Sequence, residues 1–443
     1  MTVVVDSAEM VRAPISSRRR GGTVLMLQIQ IWLLFLIPAG LRFAPLGAVG
    51  NPAIIFGVVL LLVWAVAVLA PSIDESSPCR PIRLVLSLLW ASTLLSYAVM
   101  NRHAVVADEL SNSDRYLISL LSFSGVALVA AEGLRDKTDL MRVVRTSIAA
   151  VATMAVIALL QSRAGFDATR YVDRIPLFST YHPLRSVFGR SGLARPAGTA
   201  THPIEFGVVV GLCLALSIHV VLYDRVWPRW RSRFALGVIA LGIPISISRS
   251  ALLVGVTVLV VFIAGTTGAL RIRTAAIFAV FTVFVFVSVP GLLGTLRNYV
   301  FLGQNDSSIS TRTSDYAAVA HYLRQSPWLG SGPGTFLPRL RILDNQYLLT
   351  LIESGLVGLF VLLALFSATA LLGRSGRDWH SSVEDRNLGQ MFFGCGLGIF
   401  FAAVTFDAFS FPMFTMFSAL LAGLAGTYWR LGRQERTRCQ IVR

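Results

Sequence analysis

The stretch DNQYLLTLIESGLVGLFVLLALFSATALL, Asp344 to Leu372, decides the fold. It opens on an acid and an amide, and beyond them Glu353 is its only charged residue. A helix needs roughly 17–25 apolar residues to cross a bilayer, and this run supplies them. Comparable runs recur along the chain. Twelve spans are predicted, at Thr23–Leu41, Pro52–Ala70, Leu84–Met100, Tyr116–Ala131, Val143–Leu160, Ile204–Tyr223, Phe234–Ile247, Ala251–Thr267, Thr274–Val289, Gln346–Leu372, Leu388–Phe406 and Phe411–Tyr428. The seventh and eighth are joined only by Ser248, Arg249 and Ser250. The seventh is short and carries Gly237, Gly242 and Pro244, which predicts a kink or tilt.

Composition agrees. The chain has 443 residues, 55% hydrophobic and only 14% charged, with mean hydropathy +0.68. A soluble domain of this size carries far more charge. The apolar runs are continuous rather than alternating, which argues against a β-barrel. The expected fold is an all-α polytopic membrane protein with about twelve transmembrane helices. Residues 1–22 and 430–443 read as basic cytoplasmic tails around a single transmembrane domain, 23–429. Two long extracytoplasmic loops, 161–203 and 290–345, interrupt it, and the second carries a surface helix. No cleavage site follows the first run, so it reads as a retained span. No repeat of fixed period and no low-complexity tract is visible.

Orientation follows from the arginines. Of 39 basic residues only Lys137 is lysine. With the N-terminus inside, 24 fall on inner segments and 15 on outer ones, and eleven of those fifteen sit in the two long loops. The short loops obey the positive-inside rule, and both termini come out cytoplasmic. The net charge of +16 has no soluble basic domain to use on nucleic acid. Positive-inside topology explains part of it, and an anionic substrate would account for the excess outside. Arginine suits phosphate because its guanidinium is planar, bidentate and always charged. Cys79, Cys213, Cys395 and Cys439 are scattered. No structural disulfide, zinc site or other metal site is expected.

The first long loop holds Arg163, Arg170, Arg174, Arg185, Arg190 and Arg195 against Asp167 and Asp173, and ends GLARPAGTATHPIEFG, Gly192 to Gly207. Pro196 and Gly198 enforce a turn beside Arg195, and Pro203 opens the sixth helix. An arginine beside a helix N-terminus is a natural phosphate position. The plain alternative for the other arginines is a solvated loop. Arg249 lies between two spans, flanked by Ser246, Ser248 and Ser250. Either it faces a polar cavity or it snorkels to the interface.

In the second loop Tyr316, Val319, Ala320 and Leu323 share one helical face. Ser314 is placed to cap that helix, Arg312 sits just before it and Pro327 limits its end. The helix is expected along the membrane surface. WLGSGPGTF, Trp328 to Phe336, is not a nucleotide-binding loop, since no strand precedes it and no Lys-Ser/Thr follows. Its glycines make tight turns that turn backbone N–H groups to a ligand. Asp344 is either a helix N-cap or a carboxylate at the membrane face that accepts a proton. Glu353 is expected nine residues deeper on the same helix, about 13 Å along its axis. There it would share a face with Gln346 and brace the helix against an arginine or a backbone N–H.

Together these motifs resemble a family. Arg195 with PAGT and HPIEFG, then SRSALL, then RTSDY with SPWLGSGPGTF, then DNQYLLTLIESGLVG, are similar in order and spacing to the O-antigen ligase and Wzy-type polysaccharide polymerase superfamily. The motifs cover roughly residues 192–372. The resemblance implies a metal-independent, inverting membrane glycosyltransferase without cofactor. Its donor would be an undecaprenyl-diphosphate-linked glycan, and its acceptor a glycan or lipid-linked glycan. Both would be met among membrane lipids at the outer face of a bacterial inner membrane. Arg195, Arg249 and Asp344 would be catalytic, with Arg190, His202, Arg312, Asn345 and Glu353 binding substrate. In the ligases a histidine precedes the asparagine of the last motif. Asp344 stands there here, which suits a polymerase or another branch better. His202 and His321 are the next candidates for activating the acceptor. The competing class is a transporter or flippase of an anionic solute or lipid-linked glycan, which predicts broken helices and midplane polar residues.

Overall fold

A computed structural model describes residues 22–69, 80–100, 106–165, 176–180, 187–190, 193–288 and 307–441. Its helices are α1 (Gly22–Leu36), α2 (Pro52–Leu69), α3 (Pro81–Met100), α4 (Ala107–Glu132), α5 (Lys137–Ala164), α6 (Pro203–Tyr223), α7 (Arg229–Ile245), α8 (Arg249–Gly265), α9 (Gly268–Ser288), α10 (Ser307–Gln325), α11 (Gln346–Gly376), α12 (Val383–Ala402) and α13 (Pro412–Ile441). A helix lies over each predicted span. Six of them, α2, α3, α4, α5, α6 and α11, are long and apolar enough to cross a membrane. The protein is thus a polytopic helical membrane protein. α6 is central, with 83% of its apolar window buried against 22% for α2.

The all-α class agrees with the structure, to which short strands are added outside the spans. Two small antiparallel sheets form: β1 (Leu41–Phe43), in the connection after α1, pairs with β2 (Phe178–Thr180) of the first long loop, and within that loop β3 (Val187–Arg190) pairs with β4 (Leu193–Pro196). In the second sheet Arg190 pairs with Leu193 and Phe188 with Arg195. The helical periods of the flanking spans carry no signal for strands of three or four residues, so the sequence did not disclose them.

Contacts sort the connections into two ends. At one end Glu132 binds Arg83 at 2.6 Å, Lys137 binds Asp385 at 2.5 Å and Arg145 binds Asp224 at 3.2 Å. At the other end of α4, Asn112 donates to the Gly334 carbonyl at 2.7 Å. Ala39 there donates to the Thr199 carbonyl at 2.8 Å. Both long loops therefore share an end, opposite the short basic loops.

α11 departs most from expectation. Tyr347 and Phe366 would lie about 28 Å apart along a straight helix at ~1.5 Å per residue, yet their ring centroids are 6.2 Å apart. The chain reverses at Gly355, with φ 64 and ψ −162, a conformation essentially reserved to glycine. Residues 346–354 form one arm and 356–376 the other. The second arm alone, about 31 Å long, can cross a bilayer. Glu353 is therefore not deeper than Asp344 on one axis; it sits at the apex of a helical hairpin. The glycine-rich loop fills the apex. Leu356 N donates to the Pro327 carbonyl at 2.9 Å, Val357 N to Trp328 at 3.2 Å and Gly332 N to Glu353 at 2.9 Å. Ser96 in the last turns of α3 donates to the Glu353 carbonyl at 2.8 Å. Leu356 N, Val357 N and the Glu353 carbonyl thus gain partners at the break, as an apolar surrounding demands of freed backbone groups.

α10 also differs. It begins at Ser307, so Arg312 lies within it rather than before its N-terminus, and Ser314 is no cap. The buried side runs through Asp315 and Val319, while Tyr316 is exposed. Val319 packs with Phe336, Leu343 and Ile352 in a small second core over the hairpin apex. Tyr322 meets Phe336 at 5.3 Å between ring centroids. The predicted amphipathic face is thus partly spent on protein, because the glycine loop and α11 present apolar side chains to it.

Candidate functional site

The PAGT turn is clasped from three sides. The Gln161 amide donates to the Gly198 carbonyl at 2.9 Å and accepts from Gly198 N at 2.8 Å. The Thr199 hydroxyl donates to the Phe35 carbonyl at 2.6 Å. Gly198 takes φ 63, which the tight turn requires. Arg195 enters this turn buried, with 7% of its surface exposed. Its Nε donates to the Ser246 carbonyl at 3.1 Å. The guanidinium is thereby fixed between the first turn of α6 and the end of α7.

The Ser246 carbonyl is aimed by an unusual residue. Ile247 has φ 47, a left-handed conformation that a β-branched side chain rarely adopts. Ser248 then caps α8, accepting from Ala251 N at 3.4 Å, and Arg249 is the first helical residue. The sequence SISRS thus holds one arginine by its carbonyl and presents another at a helix start. Arg249 is half-buried there.

His202 caps α6, its Nδ1 accepting from Ile204 N at 3.2 Å. Burial pushes its pKa down to about 4, and the Arg195 charge adds to the effect. The ring is therefore neutral at physiological pH, and it lies 6.2 Å from the Phe411 ring. Glu205, fully buried, takes Thr201 N and the Thr201 hydroxyl on one oxygen, at 2.9 and 2.6 Å. Its other oxygen accepts Met413 N at 2.6 Å. The carboxylate thus meets the N-terminus of α13, where helix N–H groups favour an anion. It ties the starts of α6 and α13 together beside Arg195.

Asp344 is exposed, and the cap of α11 is its neighbour. The Asn345 carbonyl oxygen accepts from Tyr347 N and Leu348 N at 2.9 and 3.2 Å. Capping therefore does not explain Asp344. Gln346 clamps the turn after α12, accepting Phe409 N at 2.8 Å and donating its own N–H to the Ala403 carbonyl at 2.9 Å. That clamp brings Asp407 near Asp344. Burial pushes the Asp407 carboxyl up, and the Asp344 charge pushes it further. Two acids with unequal environments are the pattern of an acid–base pair. Sequence reading missed Asp407, which no motif marks. The signal was its place in TFDAFSFP, an acid in an apolar connection between two spans.

Glu353 is buried, and its carboxylate accepts Phe336 N at 3.3 Å. That fulfils the expected brace against a backbone N–H, made to the glycine loop instead of its own helix. It also lines a cavity of about 250 Å3 together with Arg115, Tyr116, Arg341 and Asp407. Arg190 lies at the tip of the β3–β4 hairpin and Arg312 within α10; their side chains lie outside the described residues. His321 is exposed on α10. Cys213 and Cys395 are free and buried. Among the described residues no group of three His, Cys, Asp or Glu could hold a metal ion.

Comparison with known families agrees over one segment. Residues 234–363 match the family described as O-antigen ligase. The match takes in Arg249, Asp344 and Glu353, but less than a third of the chain. It supports the O-antigen ligase and Wzy superfamily drawn from the motifs. No curated protein matches the chain.

Proposed function

We propose that this chain is a membrane glycosyltransferase that polymerises or ligates undecaprenyl-diphosphate-linked glycans at the outer face of a bacterial inner membrane. The family match supports an O-antigen ligase or polymerase type of activity. The observation that carries the reading further is Arg195, a buried guanidinium locked on the Ser246 carbonyl one turn from Arg249. Negative charge grows on the lipid diphosphate as the glycosidic bond breaks. Fixed guanidinium donors stabilise that charge without reorganising, in the role a metal ion takes elsewhere. Asp344, with Asp407 beside it, accepts the acceptor hydroxyl's proton as that oxygen attacks the anomeric carbon from the opposite face. The bond to the diphosphate breaks and the configuration inverts. His202 stays neutral and serves as a cap, so it leaves the base role to the acids.

The hairpin break in α11 is what a transporter would be expected to show. Leu356 N, Val357 N and the Ile352 and Glu353 carbonyls at this break are bonded to the glycine loop and its flank, which favours a structural brace over an ion-coordination site. One experiment separates the classes. The purified chain is incubated with a synthetic undecaprenyl-diphosphate oligosaccharide, with and without EDTA, and products are resolved by mass. Longer or transferred glycan in both samples is expected. Donor crossing proteoliposomes without new product would establish the transporter instead. Turnover lost to EDTA and restored by magnesium would overturn the arginine mechanism.

A further inference from the structure

The 250 Å3 cavity lies between the first half of α4, the loop 334–343 and the turn that follows α12. It is separate from the arginine cluster, since Arg195, His202 and Arg249 are not in its wall. Its polar side comes from Arg115, Tyr116 and Ser119, which share a face of α4. α4 lies outside the family-matched segment, so that match assigns this wall no role.

The charges around the cavity nearly cancel. Arg341 is paired with Asp315 at 2.5 Å. Glu353 is taken by the Phe336 N–H. Arg115 and Asp407 remain, one of each sign, and Arg115 has no ion-pair partner among the described residues. A free anion would meet Asp407 and a free cation would meet Arg115. A neutral polyhydroxylated molecule suits both, because its hydroxyls accept from a guanidinium and donate to a carboxylate. Tyr116, Phe336 and Phe409 supply aromatic surface for the C–H side of a ring. Pockets for drug-sized ligands run from about 300 to 1,000 Å3, so this one has room for a single ring. Asp407, in the cavity wall, is within reach of the Asp344 charge, so a ring held here lies on the side of the site where those acids are.

We propose that this cavity holds one neutral sugar ring of the acceptor, and that Arg115, Tyr116 and Ser119 determine which sugar is accepted. The assignment rests on the glycosyl-transfer reading above. The test uses the full chain in nanodiscs and saturation-transfer NMR with free glucose, galactose, mannose, rhamnose and N-acetylglucosamine. Pyrophosphate is added as a competitor. At least one sugar should bind. Arg115→Met should weaken it about tenfold, and Ser119→Val should change the order of preference, while both variants melt like the parent. No binding by any of the five, unchanged binding in both variants, or displacement by pyrophosphate would overturn the subsite. The two readings fail separately. Sugar binding lost in the variants, with no product from the parent enzyme, removes the transfer reading and leaves a sugar site. Product formation with unaltered acceptor KM and preference in both variants removes the subsite and leaves the transfer.

Discussion

Arg195 is the residue whose setting makes the sharpest demand on the mechanism. Its Nε is committed to the Ser246 carbonyl, so the planar fork is oriented before substrate arrives. Arg195→Lys keeps the charge and loses both the fork and that anchor. Removing one fixed donor of this kind costs about 10²–10³ in kcat. We expect a loss of that order with donor KM little changed, read from initial rates on the synthetic donor. An equal loss in a chain that no longer binds donor would assign Arg195 to ground-state binding. Asp407 carries a different prediction. Its folded-state pKa lies above the ordinary 3.8, so folding disfavours its charged form. Stability is then lost as pH rises through the raised value. Asp407→Asn should melt higher than the parent at pH 7, match it near pH 3, and turn over more slowly. His202 has the opposite sign. With its pKa pushed from 6.5 to about 4, it contributes stability above 6.5 that disappears as pH falls toward 4. His202→Asn keeps a capping group, so the difference in melting temperature between variant and parent should grow in its favour across that window. Arg195 and its turn were legible in the sequence because Pro196 and Gly198 write a turn in local chemistry. Asp407 was not, because its partner lies more than sixty residues away and tertiary contacts such as the Gln346 clamp bring the two segments together.

At the scale of elements, the hairpin at Gly355 holds the lesson. A hydrophobic run of this length reads as one span, since apolarity carries no record of a reversal. The reversal is specified by a glycine that accepts φ 64 and by a distant loop that meets its backbone. Asn345, Gln346 and Glu353 all face that arrangement, which is why reading them along a single helical axis put Glu353 in the wrong place. A side chain at Gly355 would need a strained backbone and would press on the Trp328 carbonyl. Such a backbone costs about 1–3 kcal/mol before any clash. Gly355→Ala should therefore lower the melting temperature by several degrees and weaken protection of the 327–336 amides in hydrogen exchange. Gly237→Ala is the control, since it lies in α7 with nothing near an added methyl group. A Gly355→Ala chain as stable as the Gly237→Ala chain would mean that the hairpin does not need its glycine.

For the whole molecule, hydropathy and arginine placement carried most of the architecture. Each predicted run has its helix, and the segments counted as inner meet at one end while the two long loops meet at the other. Contacts such as Lys137 with Asp385 and Ala39 with Thr199 were not readable, yet they fall on the two sides that the basic residues had sorted. The structure fixes which connections share an end, and the positive-inside rule says which end faces the cytoplasm. Ser179 is exposed on β2 at the long-loop end, and Ser381 is exposed after α11 at the other. Each can be changed to cysteine and challenged in intact cells with a membrane-impermeant thiol reagent, with Cys79 and Cys439 replaced by serine beforehand. Ser179→Cys should label at once, and Ser381→Cys only after lysis. Labelling of both from outside would break the two-ended arrangement. The reverse pattern would leave the fold standing but move the Arg195 and Asp344 chemistry to the cytoplasmic face, where an outward-exported lipid-linked glycan would no longer be its substrate.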